Sequence, residues 1–191
     1  MRKVFFYMLV SADGYFEGPN HDISWHNVDD EFNRFAVEML RGADLFIYGR
    51  RMYQLMEGFW PGAAKDPSLS EENKEIAHMI NTTPKIVVSR TLKSAEEAEN
   101  WKNVRLAHEF DADEVRRIKA QPGKNIWVGG SELACSFVKE GLIDEFWLMV
   151  NPVILGKGTP VLGGLGRKLD LKLIKTRQFK SGNVLNCYRP A

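Results

Sequence analysis

The chain has 191 residues, enough for one domain with a substantial core, and no linker-like stretch divides residues 1–191. Its 26 Lys and Arg nearly balance 25 Asp and Glu, so the net charge of +1 offers no general field for nucleic acid or an anionic membrane. Two cysteines, Cys135 and Cys187, are too few and too unpatterned for a disulfide framework or a zinc site.

The composition and the first residues predict a cytoplasmic protein. Residues 1–6 lead directly into an apolar strand, without the longer apolar segment and small-residue cleavage site of a secretory signal. No apolar run approaches the length of a membrane span, and the low cysteine content suits a reducing compartment. We therefore expect no membrane, nucleic acid or metal ion among its partners.

Strands and helices are predicted in alternation along the first half of the chain. The residues before Asp13 form a continuous apolar run, which is typical of a strand buried on both faces, and Asp13-Gly14 ends it. A stretch rich in glycine and proline around Trp60 is predicted as a loop. In chain order the elements are a strand at 4–10, a helix at 29–41, a strand at 43–48, a short helix at 50–56, the loop at 58–67 and a helix at 70–79 capped by Ser70.

The second half continues this alternation and ends in two strands. Asp111 with Glu114 resembles a capping box at a helix start, and Gly141 ends the next helix. A turn-rich connection at 179–183 suits a hairpin. The elements are strands at 84–89 and 103–106, a helix at 111–119, a strand from 126, a helix at 131–139, and strands at 145–150, 171–178 and 184–189.

This pattern predicts an α/β three-layer sandwich. Alternating strands and helices build a central, mostly parallel sheet with helices on both faces, because parallel neighbours need a crossover connection. The last two strands add an antiparallel C-terminal hairpin, so the sheet is mixed. Ligands of such sheets bind at the carboxyl ends of the parallel strands.

Two strand-to-helix turns at such ends are candidates for binding phosphate. One strand leads into Gly129, Gly130 and a helix that starts at Ser131; another leads into Gly49 and Arg50. Glycines let the backbone approach a ligand, and the first N–H groups and the dipole of a helix favour an anion. A single glycine pair is more often a plain tight turn, but two such turns, one with an arginine, favour a phosphate-bearing cofactor.

Short motifs then occur in a characteristic order along almost the whole chain. They are VFFYMLVSADGYF at 4–16 followed by Trp25, GRRMY at 49–53, VVSR at 87–90, GGS at 129–131, and IDE at 143–145 leading into PVILGKG at 152–158. Their combination resembles the dihydrofolate reductase-like superfamily, in particular the reductase domain of the bifunctional riboflavin-biosynthesis deaminase-reductase. The resemblance implies that fold, for a stand-alone domain, and NADPH as the cofactor.

The resemblance also implies a cofactor site. Arg50 would meet the 2′-phosphate beside Ser89 and Arg90, because a guanidinium can bind a phosphate bidentately. The glycine pair would bind the pyrophosphate, with the Ser131 hydroxyl as an extra donor or a helix cap. The turn after the first strand would flank the nicotinamide, or be a plain Asp-Gly turn. The implied cofactor-binding residues are Ala12, Gly14, Gly49, Arg50, Arg51, Met52, Ser89, Arg90, Gly129, Gly130, Ser131 and Glu132.

On the substrate side the resemblance points to a carboxylate at the start of the first helix. Counting from Trp25, as in dihydrofolate reductases, places Asp30 where it would hold the substrate and assist its protonation. Asp29 and Glu31 are alternatives. An acidic residue in a first helical turn is also stabilised by the helix dipole alone.

The implied function is an NADPH-dependent reductase that transfers a hydride to a C=N or C=O of a small heterocyclic substrate. It is most similar to the 5-amino-6-(5-phosphoribosylamino)uracil reductase of riboflavin biosynthesis. Dihydrofolate reductase activity and a non-catalytic nucleotide-binding homodimer are the alternatives. The His-x-Glu and Pro-Cys-x-x-Cys signature of the deaminase half does not occur in this sequence. The resembled reductases pair through the regions corresponding to 145–150, 156–160 and the C-terminal strands, so we expect a homodimer.

Overall fold

The computed structural model describes residues 1–93, 101 and 103–191. Its strands are β1 (Val4–Ser11), β2 (Tyr15–Glu17), β3 (Ala43–Gly49), β4 (Lys85–Val88), β5 (Val104–Ala107), β6 (Asn125–Gly129), β7 (Glu145–Asn151), β8 (Thr159–Pro160), β9 (Leu171–Gln178) and β10 (Val184–Pro190). Its α-helices are α1 (Asp30–Arg41), α2 (Arg50–Ala63), α3 (Glu71–Thr82), α4 (Ala112–Ala120) and α5 (Ser131–Lys139).

Eight of these strands form one mixed sheet in the order β5-β4-β3-β6-β1-β7-β10-β9. The strands from β5 to β7 are parallel to their neighbours, whereas β10 pairs antiparallel with both β7 and β9. The predicted parallel sheet with an antiparallel C-terminal hairpin is therefore confirmed. Strands β2 and β8 form a separate two-stranded sheet that was not predicted, because two or three residues are too few to show a periodicity.

Helices cover both faces of the sheet, as predicted. Phe5 and Tyr7 of β1 pack with α1, α2 and α3 on one face, while Val4 and Phe6 pack with α4 and α5 on the other. Strand β1 lies between two parallel neighbours and is buried on both faces, which explains its uninterrupted apolar sequence.

The predicted loop at 58–67 is wrong over its first part, because α2 continues to Ala63 through Gly58 and Pro61. Proline in a helix interior costs a hydrogen bond and glycine costs conformational entropy, so the local sequence opposes this helix. Packing against α3 outweighs these costs. Ala63 is buried, and the Asn81 side chain of α3 donates a hydrogen bond of 3.1 Å to the Trp60 carbonyl.

Two predicted helix caps are confirmed. Ser70 accepts a hydrogen bond from the Asn73 N–H at the start of α3, and Asp111 accepts one from the Glu114 N–H at the start of α4. The Glu114 carboxylate binds the Arg105 guanidinium at 2.7 Å, so only the Asp111 half of the predicted capping box forms.

Lys85 is a buried lysine at the start of β4. Its side chain is only 1 % exposed, donates a hydrogen bond of 2.7 Å to the Thr83 carbonyl and lies 4.3 Å from the centre of the Trp101 ring. Within the described residues it forms no ion pair. Burial disfavours the charged ammonium and lowers the pKa of Lys85 to about 7.

We expect Lys85→Met to remove a pH dependence of stability. The folded pKa lies below the unfolded value of 10.5, so the unfolded chain binds more protons between these values and wild-type stability rises with pH through this window. One titrating group can change the free energy of unfolding by at most about 1.4 kcal/mol per pH unit. Because the contact with Trp101 favours the ammonium, we expect the free energy of unfolding of the wild type to rise by only about 1–3 kcal/mol between pH 7 and pH 9. Urea unfolding at both pH values measures it.

The variant leaves no unpaired carbonyl, because Thr83 also accepts a hydrogen bond from the Asn103 side chain. A stability difference between wild type and Lys85→Met that stays constant from pH 7 to pH 9 would contradict the prediction.

Candidate cofactor and substrate site

Three of the predicted turns lie side by side at the carboxyl edge of the sheet. In the parallel register Gly49 of β3 is opposite Val88 of β4, and Tyr48 is opposite Gly129 of β6. The residues that follow these strands, Ser89-Arg90, Arg50 and Gly130, therefore lie along one edge. This edge is where parallel α/β sheets bind ligands.

The glycine turn after β6 disfavours side chains, at Gly129 for lack of space and at Gly130 because of its backbone conformation. A Cβ at Gly129 would lie 2.8 Å from the Tyr48 ring and 3.0 Å from Cγ of Met52. Gly130 has a φ of +104°, which L-residues rarely adopt, and a Cβ there would lie 3.6 Å from the Gly49 nitrogen. The turns that begin α2 and α5 therefore approach each other closely, and the free N–H groups of both helix starts lie at the same edge.

Ser131 is not the helix cap that the sequence allowed. Gly130 occupies the N-cap position and Ser131 is the first residue of α5. The turn needs a positive φ at the cap position, which selects glycine, and the next residue already has helical geometry. The buried Ser131 hydroxyl instead accepts a hydrogen bond of 2.8 Å from the Leu162 N–H.

Helix α2 begins with two arginines, Arg50 and Arg51, and has no acidic residue in its first turn. Helices α1, α3, α4 and α5 carry acidic residues there, which the helix dipole favours. Both side chains are exposed, as is Arg90 beyond β4. None of these three guanidiniums has a hydrogen bond or ion pair in the part of the chain that the structure describes. They remain available to a bound anion.

The other predicted cofactor residues take different places around this edge. Met52 is half-buried and packs beside Gly129, whereas Glu132 is exposed in the first turn of α5. Ser89 is buried, and its hydroxyl accepts hydrogen bonds of 3.1 Å from the Leu92 N–H and 3.3 Å from the Thr91 N–H. It therefore shapes the turn that carries Arg90.

The turn after β1 is held by the carboxylate of Asp13. This carboxylate accepts hydrogen bonds from the Ser11 hydroxyl at 2.7 Å, from the Leu155 N–H at 3.1 Å and from the Gly156 N–H at 2.8 Å. The bond from Ser11, followed by those from the two N–H groups, lowers the pKa of Asp13. Ala12 and Gly14 flank this carboxylate, and Gly14 has a φ of +86°.

Of the three carboxylates at the start of α1, only Asp30 is uncommitted. Asp29 caps the helix, accepting a hydrogen bond of 2.8 Å from the Phe32 N–H. Glu31 accepts one of 2.9 Å from the Lys180 N–H. Asp30 is exposed and has no polar partner among the described residues.

A further hydrogen bond places the start of α1 beside the ends of β1 and β7. The Asn27 N–H donates to Oδ1 of Asn151 at 2.9 Å, and Asn151 is opposite Ser11 in the register of these two strands. The segment that leads into Asp30 therefore lies at the same edge of the sheet as the turn after β1. Whether Asp30 contacts a substrate stays a prediction.

Sequence reasoning missed three aromatic residues beside the glycine turn. The Tyr7 and Tyr48 hydroxyls and Nε1 of Trp127 are buried, and none of them has a hydrogen-bond partner among the residues that the structure describes. The Trp127 ring lies 6.3 Å from that of Tyr7 and 5.5 Å from that of Tyr48. Burial raises the pKa of both tyrosines, which keeps the hydroxyls protonated. A buried donor without a partner lowers the stability of the fold by about 1–3 kcal/mol. Apolar periodicity shows that a residue is buried, but not whether its polar atom has a partner.

An open cavity of about 550 Å³ lies at the opposite, amino edge of the sheet. The paired side chains of Arg2 and Asp44 help to line it, and none of the predicted site residues does. The candidate site remains the carboxyl edge, where the glycine turn lies beside arginines that have no partner among the described residues. Among the described residues, no helix is long and apolar enough to cross a membrane.

Comparisons with known proteins identify the family and the fold of this chain. A family model described as the RibD C-terminal domain matches residues 2–185. The uncharacterized protein YyaP of Bacillus subtilis (strain 168) is 31% identical over 188 residues, covering 98% of this chain and 94% of that protein.

Two crystal structures share the fold. A putative riboflavin biosynthesis protein from Shewanella sp. PV-4 has a TM-score of 0.74 and 21% identity, with 99% of both chains covered. The deaminase/reductase from Thermotoga maritima has a TM-score of 0.67 and 16% identity. That match covers 100% of this chain and 57% of the longer protein.

Proposed function

The chain belongs to the family of RibD C-terminal domains, and we propose that it is an NADPH-dependent reductase of a small heterocyclic substrate. The hydride would go to a C=N or C=O carbon. The proposed activity is most similar to that of the 5-amino-6-(5-phosphoribosylamino)uracil reductase of riboflavin biosynthesis, whose substrate is an aminopyrimidine. Dihydrofolate reductase activity and non-catalytic nucleotide binding by a homodimer remain the alternatives. We also propose that the protein acts in the cytoplasm.

The start of α2 carries this proposal. Two arginines in its first turn have no partner in the part of the chain that the structure describes; both oppose the helix dipole, and a bound phosphate would compensate both charges. The glycine turn beside them has no space for a side chain at Gly129 and a positive φ at Gly130, and it presents backbone N–H groups. The residues therefore fit a cofactor that carries a pyrophosphate and a further phosphate.

Each residue has a proposed role toward this cofactor, which would supply the hydride when bound. Arg50, with Arg90 nearby, would bind the 2′-phosphate, and the N–H groups after Gly129 and Gly130 would bind the pyrophosphate. Ala12 and Gly14 would form the backbone wall beside the nicotinamide. Asp30, at the start of α1 beside the ends of β1 and β7, would assist proton delivery to the substrate.

Calorimetric titration of the protein with NADPH tests this proposal, and Gly49→Ala sharpens it. Gly49 has an ordinary φ of −73°, and a Cβ there would make an ordinary 3.5 Å contact with Cβ of Leu133, so the fold should tolerate the change. A methyl group between the two turns should weaken NADPH binding about tenfold, or about 1.4 kcal/mol. Gly130 is unsuitable for this test because its positive φ would strain any other residue.

Gly58→Ala is the matched control. A Cβ at Gly58, within α2, would meet nothing within 4 Å, so this change should stabilise the helix by up to about 1 kcal/mol and leave NADPH binding unchanged. Equal affinities of the two variants would remove Gly49 from the site. A wild-type protein that binds NADPH but oxidises it with no pterin, dihydrofolate or aminopyrimidine would favour the non-catalytic alternative.

We further propose that the protein pairs as a homodimer through β9. Of the three predicted pairing regions, 145–150 has Phe146 and Met149 buried within the sheet, so we propose the hairpin edge as the main contact and keep residues 156–160, most of which are exposed, as a second one. Strand β9 is the edge strand at the hairpin end of the sheet. Its side chains Leu171, Leu173 and Ile174 are exposed. An exposed apolar edge strand is a template for pairing with another chain.

In this dimer, Leu173→Glu should produce a monomer, because it places a carboxylate in an apolar contact. Phe59→Glu on α2 is the control, since Phe59 and Leu173 are similarly exposed, at 57% and 53%. Sedimentation at micromolar concentration gives the mass. A wild-type monomer would refute the proposed dimer, and a dimer that persists in Leu173→Glu would place its interface elsewhere.

A further inference from the structure

Residues 152–162, which follow β7, run along the site from the turn after β1 to the start of α5; we name them the strap. At their first end the Ala12 N–H donates a hydrogen bond of 2.8 Å to the Val153 carbonyl. In the middle the Thr159 hydroxyl donates one of 2.6 Å to the Glu17 carboxylate. The strap therefore borders the proposed nicotinamide position.

Asp13 is the side chain that fastens the first end of the strap. Its two carboxylate oxygens accept the N–H groups of Leu155 and Gly156, and its Oδ1 also accepts the Ser11 hydroxyl, so β1 and the strap share one carboxylate. Hydrogen bonds to a charged acceptor are stronger than neutral ones. Asp13 itself is exposed, so neither burial nor an ion pair among the described residues explains its presence there.

Ser131 fastens the other end. Its hydroxyl accepts the Leu162 N–H at 2.8 Å, and Ser131 is the first residue of α5, directly after the glycine turn. Val161 and Leu162 also pack against the buried cluster that includes α5. One continuous segment thus joins the turn after β1 to the helix start that would bind the pyrophosphate.

We propose that Asp13 is a positioning residue for the cofactor: it holds the strap, and the strap in turn holds the first turn of α5 through Ser131. Asp13 contacts no cofactor in this arrangement. It acts by keeping the two halves of the site at a constant separation, which lowers the cost of ordering them when NADPH binds. This inference rests on the proposed function.

A double-variant cycle on NADPH affinity tests it. Asp13→Asn keeps the shape of the side chain but removes the charge and one acceptor oxygen, and Ser131→Ala removes the side-chain hydrogen bond at the opposite end of the strap. Each change should weaken NADPH binding about tenfold. Because both release the same strap, the double variant should also be about tenfold weaker, not a hundredfold. A hundredfold loss, which indicates independent effects, would overturn the inference.

Asp66→Asn is the matched control. Asp66 also accepts a serine hydroxyl, that of Ser68 at 2.6 Å, and a backbone N–H at 2.8 Å, but it lies in the loop between α2 and α3. The Asp66→Asn variant should therefore bind NADPH with the same affinity as the wild type. If Asp13→Asn behaves like Asp66→Asn, Asp13 only forms a local turn and the inference fails while the proposed function stands. If wild type binds no NADPH, the proposed function fails, and the inference with it.

Hydrogen exchange provides a second readout that does not need the cofactor. In Asp13→Asn, exchange should quicken at the Leu162 N–H as well as at Leu155 and Gly156, because the strap moves as a unit. Faster exchange at Leu155 and Gly156 alone would contradict this mechanical connection. Should Asp13→Asn not fold, Ser131→Ala tests the strap from its other end, through both NADPH affinity and exchange at Leu155.

Discussion

Arg50→Ala should weaken NADPH binding by about 10- to 100-fold and leave NADH binding nearly unchanged. The guanidinium at the start of α2 has no partner within residues 1–93, 101 and 103–191 and lies along the same edge as Arg90, and only NADPH carries the extra phosphate that it would bind. Loss of a charge-assisted hydrogen bond of this kind costs about 1.5–3 kcal/mol. Calorimetric titration with both cofactors measures the difference.

The same change should slightly stabilise the protein without cofactor. A positive charge at a helix N-terminus opposes the dipole by about 0.3–1 kcal/mol, so its removal raises the free energy of unfolding. Arg34→Ala, an exposed arginine in the middle of α1, is the control and should alter neither quantity by more than a few tenths of a kcal/mol. Equal losses of NADPH and NADH affinity would refute the assignment of Arg50.

Asp30→Asn should slow hydride transfer by roughly 100-fold, the effect of losing a positioned acid–base group. An amide cannot deliver a proton, so the defect should be greatest near neutral pH, where water supplies protons least well. Single-turnover oxidation of bound NADPH across a pH series measures it, once a reducible substrate is found.

The neighbouring carboxylates provide the controls. Asp29→Asn keeps a good helix cap, and Glu31→Gln keeps an acceptor for the Lys180 N–H, so both should retain most of the rate. If either of these slows the reaction while Asp30→Asn does not, the substrate carboxylate is one position away. If all three match wild type, the proton comes from water or from another residue.

The fold was predictable where local patterns are strong. The apolar run before Asp13 and the glycine at position 42 gave β1 and the end of α1 within a residue or two. The strand order was not predictable in this way, because hydrophobic periodicity says which face is buried but not which strand lies beside it. Helix α2 was mispredicted for a different reason: Gly58 and Pro61 disfavour a helix locally, but packing against α3 outweighs their effect.

Some features of the candidate site were likewise predictable from local sequence, and others were not. Glycines at strand ends signal close backbone approach, so the turns at Gly49 and Gly129 were found from the sequence. The tether from Ser131 to Leu162 joins residues far apart in the chain, and the unpaired donors of Tyr7 and Tyr48 depend on what surrounds them. No local pattern contains that information.

The central position of β1 also has a consequence for how the chain folds. Phe6 is opposite Val128 of β6 and Phe146 of β7, so the first strand must wait for residues more than a hundred positions later. At a synthesis rate of about 5–20 residues per second, that delay is roughly 6–30 s on the ribosome. During this time one of the most apolar segments of the chain has no partner strand. Slow folding, with the apolar β1 segment exposed until β6 and β7 are available, follows from these non-local contacts.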